Sequence, residues 1–140
     1  EKSIKMSKQE IKEEHKDTEG NPQMKGRLRQ VQRQMSQGRM MKAVPTADVV
    51  IKNPTHLAVA LKYDPTEGMA PMVVAKGERL VAQRIIKIAE ANDIPVIEDK
   101  PLARALFKMC EVGQMVPANL YRAVAEVLAY VYRLKGKVIR

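Results

Sequence analysis

The sequence predicts an α/β fold: a small mixed β-sheet of about four strands surrounded by helices, behind an N-terminal polar helical connector. Three observations predict it. Short Val- and Ile-rich runs alternate with longer stretches at helical spacing, the pattern of strands interleaved with helices around one sheet. Apolar residues make up 45% of the 140 residues, enough for one core, and aromatics only 4%, so that core is aliphatic. The N-terminal part has a different texture: residues 1–42 carry eleven Lys/Arg against six Asp/Glu, about +5 of the total +9, with few apolar side chains.

Taken in order, Gly20-Asn21-Pro22 divides the polar part into two helices, roughly Ser3 to Asp17 and Pro22 to Met41. Neither has a wide apolar face, so neither should fold alone, and residues 1–43 are expected to form a tail or linker. Residues 44–140 form the compact domain. Within it, Ala47 to Lys52 reads as a buried strand and Leu57 to Tyr63 as a second. Asp64 to Gly68 is a turn cluster, and Met72 to Ala75 a third strand. Gly77 precedes a helix from Glu78 to about Ala91, with Leu80, Val81, Arg84, Ile85, Ile88 and Ala89 at helical spacing. Val96-Ile97 lies in a short fourth strand. Pro101 suits the start of a helix running to about Cys110, Gly113 stops it, and Pro117 opens a last helix with Leu120, Val124, Val127, Leu128 and Val131 in one stripe.

Composition excludes several classes. A single cysteine, Cys110, rules out an internal disulfide framework and reads as a core residue on an apolar helix face. His15 and His56 are the only histidines, so a structural zinc site is not expected. There is no Gly-rich phosphate loop; Ala75-Lys76-Gly77 can be an anion site at a helix start or, more simply, a strand-to-helix turn. No cofactor is therefore expected. No apolar run reaches transmembrane length and no signal peptide opens the chain. The first residue is Glu1, so a piece of a longer protein is expected. The positive charge calls for an anionic neighbour: nucleic acid, an acidic partner or a lipid surface. Met35, Met40 and Met41 form either an adaptable contact surface or a helix edge packed on the domain.

The chemistry centres on Asn53-Pro54-Thr55-His56, between the first two strands. One reading is an ordinary β-turn, with Asn first and Pro second. The other is self-cleavage. Pro54 has no N–H, so the usual attack of the next backbone nitrogen on the Asn side chain is closed. The reverse attack remains: the Asn53 side-chain amide nitrogen adds to its own backbone carbonyl, a five-membered succinimide forms, and the Pro54 nitrogen leaves. A tight turn can hold the near-attack pose, and backbone N–H groups can stabilise the oxyanion. An acceleration of about 10⁴-fold corresponds to roughly 5 to 6 kcal/mol, within reach of positioning. His56 either relays a proton to the leaving nitrogen or shapes the turn. Thr55 either shapes the turn or donates a hydrogen bond. Asn21-Pro22 offers the same dipeptide in a polar setting, where the Asn side chain is expected to sample many rotamers.

The stretch VIKNPTHLAVALKY, followed by APMVVAKG, PLARALF and LYRAVAEVLAYVY, resembles the cytoplasmic domain of the FlhB/YscU-like export switch proteins of flagellar and virulence type III secretion. KDTEGNPQMKGRLRQ and MMKAVPTADV extend the resemblance over nearly the whole chain. The flagellar branch is the better match, with Asn21 departing from it where an acidic residue is expected. The resemblance implies cleavage between Asn53 and Pro54, with the two pieces remaining associated. It implies a membrane domain before the linker, at the cytoplasmic face of the bacterial inner membrane, the full-length protein being an integral membrane protein. It also implies a switch from rod and hook to filament substrates, or from needle to translocator cargo in the virulence branch. Implied partners are other export-apparatus proteins, a hook-length ruler protein and the export substrates. An apolar recognition patch is implied at Ala70, Pro71, Ala125 and Leu128, where the alternative is that Ala125 and Leu128 belong to the helix core.

Two other classes fit the sequence less well. A basic nucleic-acid-binding module fits the charge, but no helix-turn-helix signal and no aromatic platform for bases is present. Anionic lipid beside a membrane domain accounts for the basic linker equally well, so nucleic acid is not expected as a partner. An enzyme acting in trans would need turnover, whereas Asn53 would act once and be consumed.

Overall fold

The fold was analysed in a computed structural model, which describes residues 21–139 except Thr55 and Met69. The proposed helix at Ser3 to Asp17 lies outside the described residues. The described residues divide into two units, one before and one after the Gly38–Arg39 boundary. Helix α1, Pro22–Ala43, begins in the first. Asn21 caps it: the side-chain oxygen accepts from Gln23 N–H at 2.9 Å and from Met24 N–H at 3.4 Å. Pro22 occupies the first helical position, where its missing N–H costs nothing. The Asn21 side chain is therefore held at the cap instead of sampling many rotamers. Lys25, Arg27, Arg29, Arg33, Arg39 and Lys42 make α1 wholly basic, with no acidic residue on it.

The second unit is built on strands β1 (Val49–Asn53), β2 (Leu57–Lys62), β3 (Met72–Glu78) and β4 (Val96–Glu98). They form one sheet in the order β3-β2-β1-β4. The β1–β2 and β2–β3 pairs are antiparallel and the β1–β4 pair is parallel, so the sheet is mixed as expected. Helices α2 (Leu80–Ala91), α3 (Lys100–Met109) and α4 (Ala118–Ile139) complete the fold.

The two central strands read as continuous apolar runs because both faces of the sheet are covered. Val49, Ile51, Val59 and Leu61 pack on one side against Leu102, Leu106, Val124, Leu128 and Val131 from α3 and α4. Val50, Ala58 and Ala60 pack on the other against Ala82, Ile85 and Ala89 of α2, with Met41 and Val44. Met41 is thus core, while Met35 is exposed. A bulge in β3 moves the pairing from Ala60↔Ala75 to Leu61↔Val73, which sends Val73 and Ala75 to opposite faces despite their even spacing. The free edge of β3 is covered at its start, where Gly113 and Val116 donate to the Val73 and Pro71 carbonyls at 2.8 and 2.7 Å.

Two boundaries differ from the sequence reading. Strand β3 runs on through Lys76, Gly77 and Glu78, which pair with Val59, Ala58 and Leu57, and α2 begins only at Leu80. Gly77 is inside the strand because α2 presses on it: a Cβ there would lie 2.2 Å from Val81 Cγ1. Lys76 is correspondingly no anion ligand. Its ammonium donates to the Phe107 carbonyl at 2.9 Å, pairs with Glu111 at 3.2 Å and sits 4.9 Å over the Phe107 ring, tying β3 to α3. Cys110 is buried at the end of α3; burial raises its thiol pKa, Lys76 opposes this and Glu111 adds to it. Among the described residues, no helix is long and apolar enough to cross a membrane.

Candidate functional site

Asn53 is the last residue of β1, paired with Leu57 at the start of β2. At 7% exposure it is, among the described residues, the buried polar side chain in a core that is otherwise apolar. Strand pairing on both sides of β1 fixes its backbone: Lys52 accepts from Asp99 N–H at 3.0 Å on the β4 side and pairs with Ala58 on the other. Burial then limits the side-chain rotamers, so the amide is not free to wander as it would be in a polar loop.

Pro54 and His56 are exposed on the loop that joins β1 to β2. The loop is closed by one turn hydrogen bond, from His56 N–H to the Asn53 carbonyl oxygen at 3.1 Å. Pro54 sits at the second position of that turn, where its fixed φ is favourable. The loop is thus a β-turn, a geometry that the self-cleavage reading also calls for. The turn bond polarises the carbonyl that would be attacked, and an N–H on that oxygen is the donor a tetrahedral intermediate needs.

A residue that sequence reasoning missed lies beside this loop. Arg79, at the turn from β3 into α2, donates its N–H to the His56 carbonyl at 3.0 Å. Its backbone stands at φ 55, ψ −120, a conformation that costs roughly 1–3 kcal/mol for a residue other than glycine. The signal was absent from the sequence because Arg79 acts through its main chain, and arginine does not announce a positive φ.

The second candidate set is brought together in part. Pro71, Ala125 and Leu128 line one surface groove of about 160 Å³ with Tyr63, Tyr121 and Tyr132. Ala70 is half-buried beside Pro71 and outside the groove lining. Leu128 and Pro71 are buried and Ala125 is half-buried, so the helix-core and patch readings overlap: these residues form the floor and the tyrosines the rim. The tyrosines were legible in principle, since 121, 125, 128 and 132 recur at helical spacing. Burial raises the Tyr132 phenol above its ordinary value, with Asp48, Tyr63 and Asp64 adding in the same direction. The groove lies past the end of β2 and the Asn53 loop at its start, about 20 Å apart along the strand at 3.4 Å per residue.

The same chain architecture recurs in known proteins. The family model described as "FlhB HrpN YscU SpaS Family" matches residues 1–131. The flagellar biosynthetic protein FlhB of Escherichia coli K12 is 54% identical over 134 residues, which cover 96% of this chain and 35% of that protein, so the chain spans about a third of its relative. The crystal structure of the cytoplasmic domain of FlhB from Shewanella putrefaciens superposes with a TM-score of 0.66 at 46% identity, covering 69% of this chain and 79% of that one. The C-terminal domain of EscU carrying an Asn-to-Ala mutation superposes with a TM-score of 0.64 at 38% identity, covering 67% and 94%. With the family model spanning nearly its whole length, the chain belongs to the FlhB HrpN YscU SpaS family.

Proposed function

We propose that this chain is the cytoplasmic part of a flagellar type III export component that cuts its own backbone between Asn53 and Pro54. The observation that carries the proposal is the buried Asn53, placed before a proline with its carbonyl oxygen already accepting a hydrogen bond from His56 N–H at 3.1 Å. The Asn53 side-chain nitrogen adds to the Asn53 carbonyl carbon, forming a C–N bond and an oxyanion on the oxygen that His56 N–H faces. Collapse breaks the bond to Pro54. The proton lost by the attacking nitrogen is matched by the proton gained by the Pro54 nitrogen, with the His56 imidazole as its carrier. Water then opens the succinimide at Asn53. Thr55, the remaining member of the motif, lies outside the described residues.

The cut changes which export substrates are accepted, from rod and hook to filament class. The flagellar names of the relatives support this branch over the virulence one. The groove at Pro71, Ala125 and Leu128, with Ala70 at its edge, is the proposed contact for export substrates. Residues 1–43 serve as the linker to a membrane domain at the cytoplasmic face of the inner membrane, and the basic face of α1 suits anionic lipid there. Other export-apparatus proteins and a ruler protein are the remaining partners. N-terminal sequencing of the denatured protein tests the cut: a fragment beginning Pro-Thr-His-Leu supports the proposal, and a single intact chain refutes it.

A further inference from the structure

Arg79 is remote from the Asn53–His56 loop in sequence and its side chain is exposed, yet its backbone reaches the loop. The β2–β3 pairing ends at Leu57↔Glu78, and one step further Arg79 N–H donates to the His56 carbonyl at 3.0 Å. This bond is one more rung of the ladder. On the opposite edge, His56 N–H donates to the Asn53 carbonyl at 3.1 Å. His56 is therefore held from both neighbouring strands, and the Arg79 side of that hold fixes the backbone from which its N–H is aimed.

Arg79 has a second obligation. Its carbonyl accepts from Gln83 N–H at 3.0 Å and so begins α2. Serving the rung and the helix together puts it at φ 55, ψ −120. The strand just before the corner is tightly packed, since Gly77 lies against Val81 with no room for a Cβ. A backbone outlier persists only where its surroundings over-determine it, and here they do so beside the scissile bond.

We propose that Arg79 is a positioning residue for the cleavage: its backbone N–H anchors the His56 carbonyl and thereby keeps the His56 N–H on the oxygen of the Asn53 carbonyl. The proposal rests on the self-cleavage reading above. It assigns nothing to the guanidinium, so any residue that keeps the N–H should serve.

The test replaces the residue-79 amide by an ester, using an α-hydroxy acid during cell-free synthesis of the whole chain, and follows cleavage by intact mass. A matched ester at Val73 removes an N–H that donates to the Gln114 carbonyl at 3.0 Å, away from the loop. The ester at 79 is expected to slow cleavage by about tenfold or more, less than direct loss of an oxyanion donor. The ester at 73 should stay within about twofold of wild type on the same scale. In an Asn53→Ala background, the isotope-labelled carbonyl of residue 53 should move to higher infrared frequency with the ester at 79 and stay put with the ester at 73. Equal slowing by both esters, or no slowing at 79, would overturn the proposal. A wild-type chain that never cuts would instead sink the cleavage reading itself, and that arm is read without any substitution.

Discussion

The backbone N–H of His56 donates to the carbonyl oxygen of Asn53 at 3.1 Å, across the loop that joins β1 to β2. The same oxygen would carry the negative charge when the Asn53 side chain attacks its own carbonyl. In the proposed reaction this ordinary turn bond would double as a pre-placed oxyanion donor, with no rearrangement needed at the moment of reaction.

If Asn53 supplies the nucleophile as proposed, Asn53→Ala should abolish cleavage while leaving the sheet intact. His56→Ala keeps the backbone N–H and removes only the imidazole. It is expected to slow cleavage by about 10²-fold, the usual worth of a positioned proton carrier. Intact mass against time measures both. A His56→Ala rate close to wild type would confine His56 to its backbone role.

The cut pieces should stay together. Residues 49–53 and 57–61 pair along the whole of β1, β4 pairs on its other side, and Val49 and Ile51 are fully buried. Ladder bonds and core burial hold β1 without the peptide link. Native size exclusion should give one particle of full mass and a denaturing gel two bands. Separation of the fragments without denaturant would contradict the central placement of β1.

Much of this fold was legible in residue order. The Val- and Ile-rich runs at 47–52 and 57–63 became β1 and β2, and Asn-Pro fell in the loop between them. What was not legible depends on long-range contact. Gly77 reads as a break, yet it is a strand residue that makes way for Val81. Arg79 contributes through its main chain, and no side-chain pattern reports that. Asn21-Pro22 reads as a break, yet it is a cap followed by a first-position proline. The parity of β3 is set by a bulge opposite Ala60 and Leu61, which alternation alone cannot reveal.

Gly77→Ala should destabilise the domain by about 1–3 kcal/mol through overpacking against Val81. The double variant with Val81→Ala should recover part of that loss, because the two sites share one contact. Urea midpoints of the four proteins give the coupling. Strict additivity would show that the crowding is relieved elsewhere.

Stability should fall on the alkaline side. Burial raises the Cys110 thiol above its ordinary value of 9.0 and the Tyr132 phenol above 10.0. Both folded states favour the protonated form, so this stability is fully present below those ordinary values and is lost as pH rises through the folded ones. Denaturant midpoints from neutral pH to about pH 11 should decline, and Cys110→Ala should decline less steeply. Identical slopes would contradict the Cys110 assignment. Thiol reagents at mildly alkaline pH should label Cys110 slowly in the fold and rapidly in urea.

The most direct measurement follows two bonds in one chain. Asn21-Pro22 and Asn53-Pro54 are the same dipeptide in different settings. The Asn21 side-chain oxygen is engaged by Gln23 and Met24 N–H groups at a helix cap, whereas Asn53 is buried at a strand end with a donor on its carbonyl. Time-resolved intact-mass spectrometry of freshly made protein, with and without urea, reports both. The account predicts complete cutting after Asn53, an intact Asn21-Pro22 bond, and slowing of the Asn53 cut in urea towards the rate at Asn21. Comparable cutting at both bonds, or a rate at Asn53 that urea leaves unchanged, would show that the fold contributes nothing to the reaction.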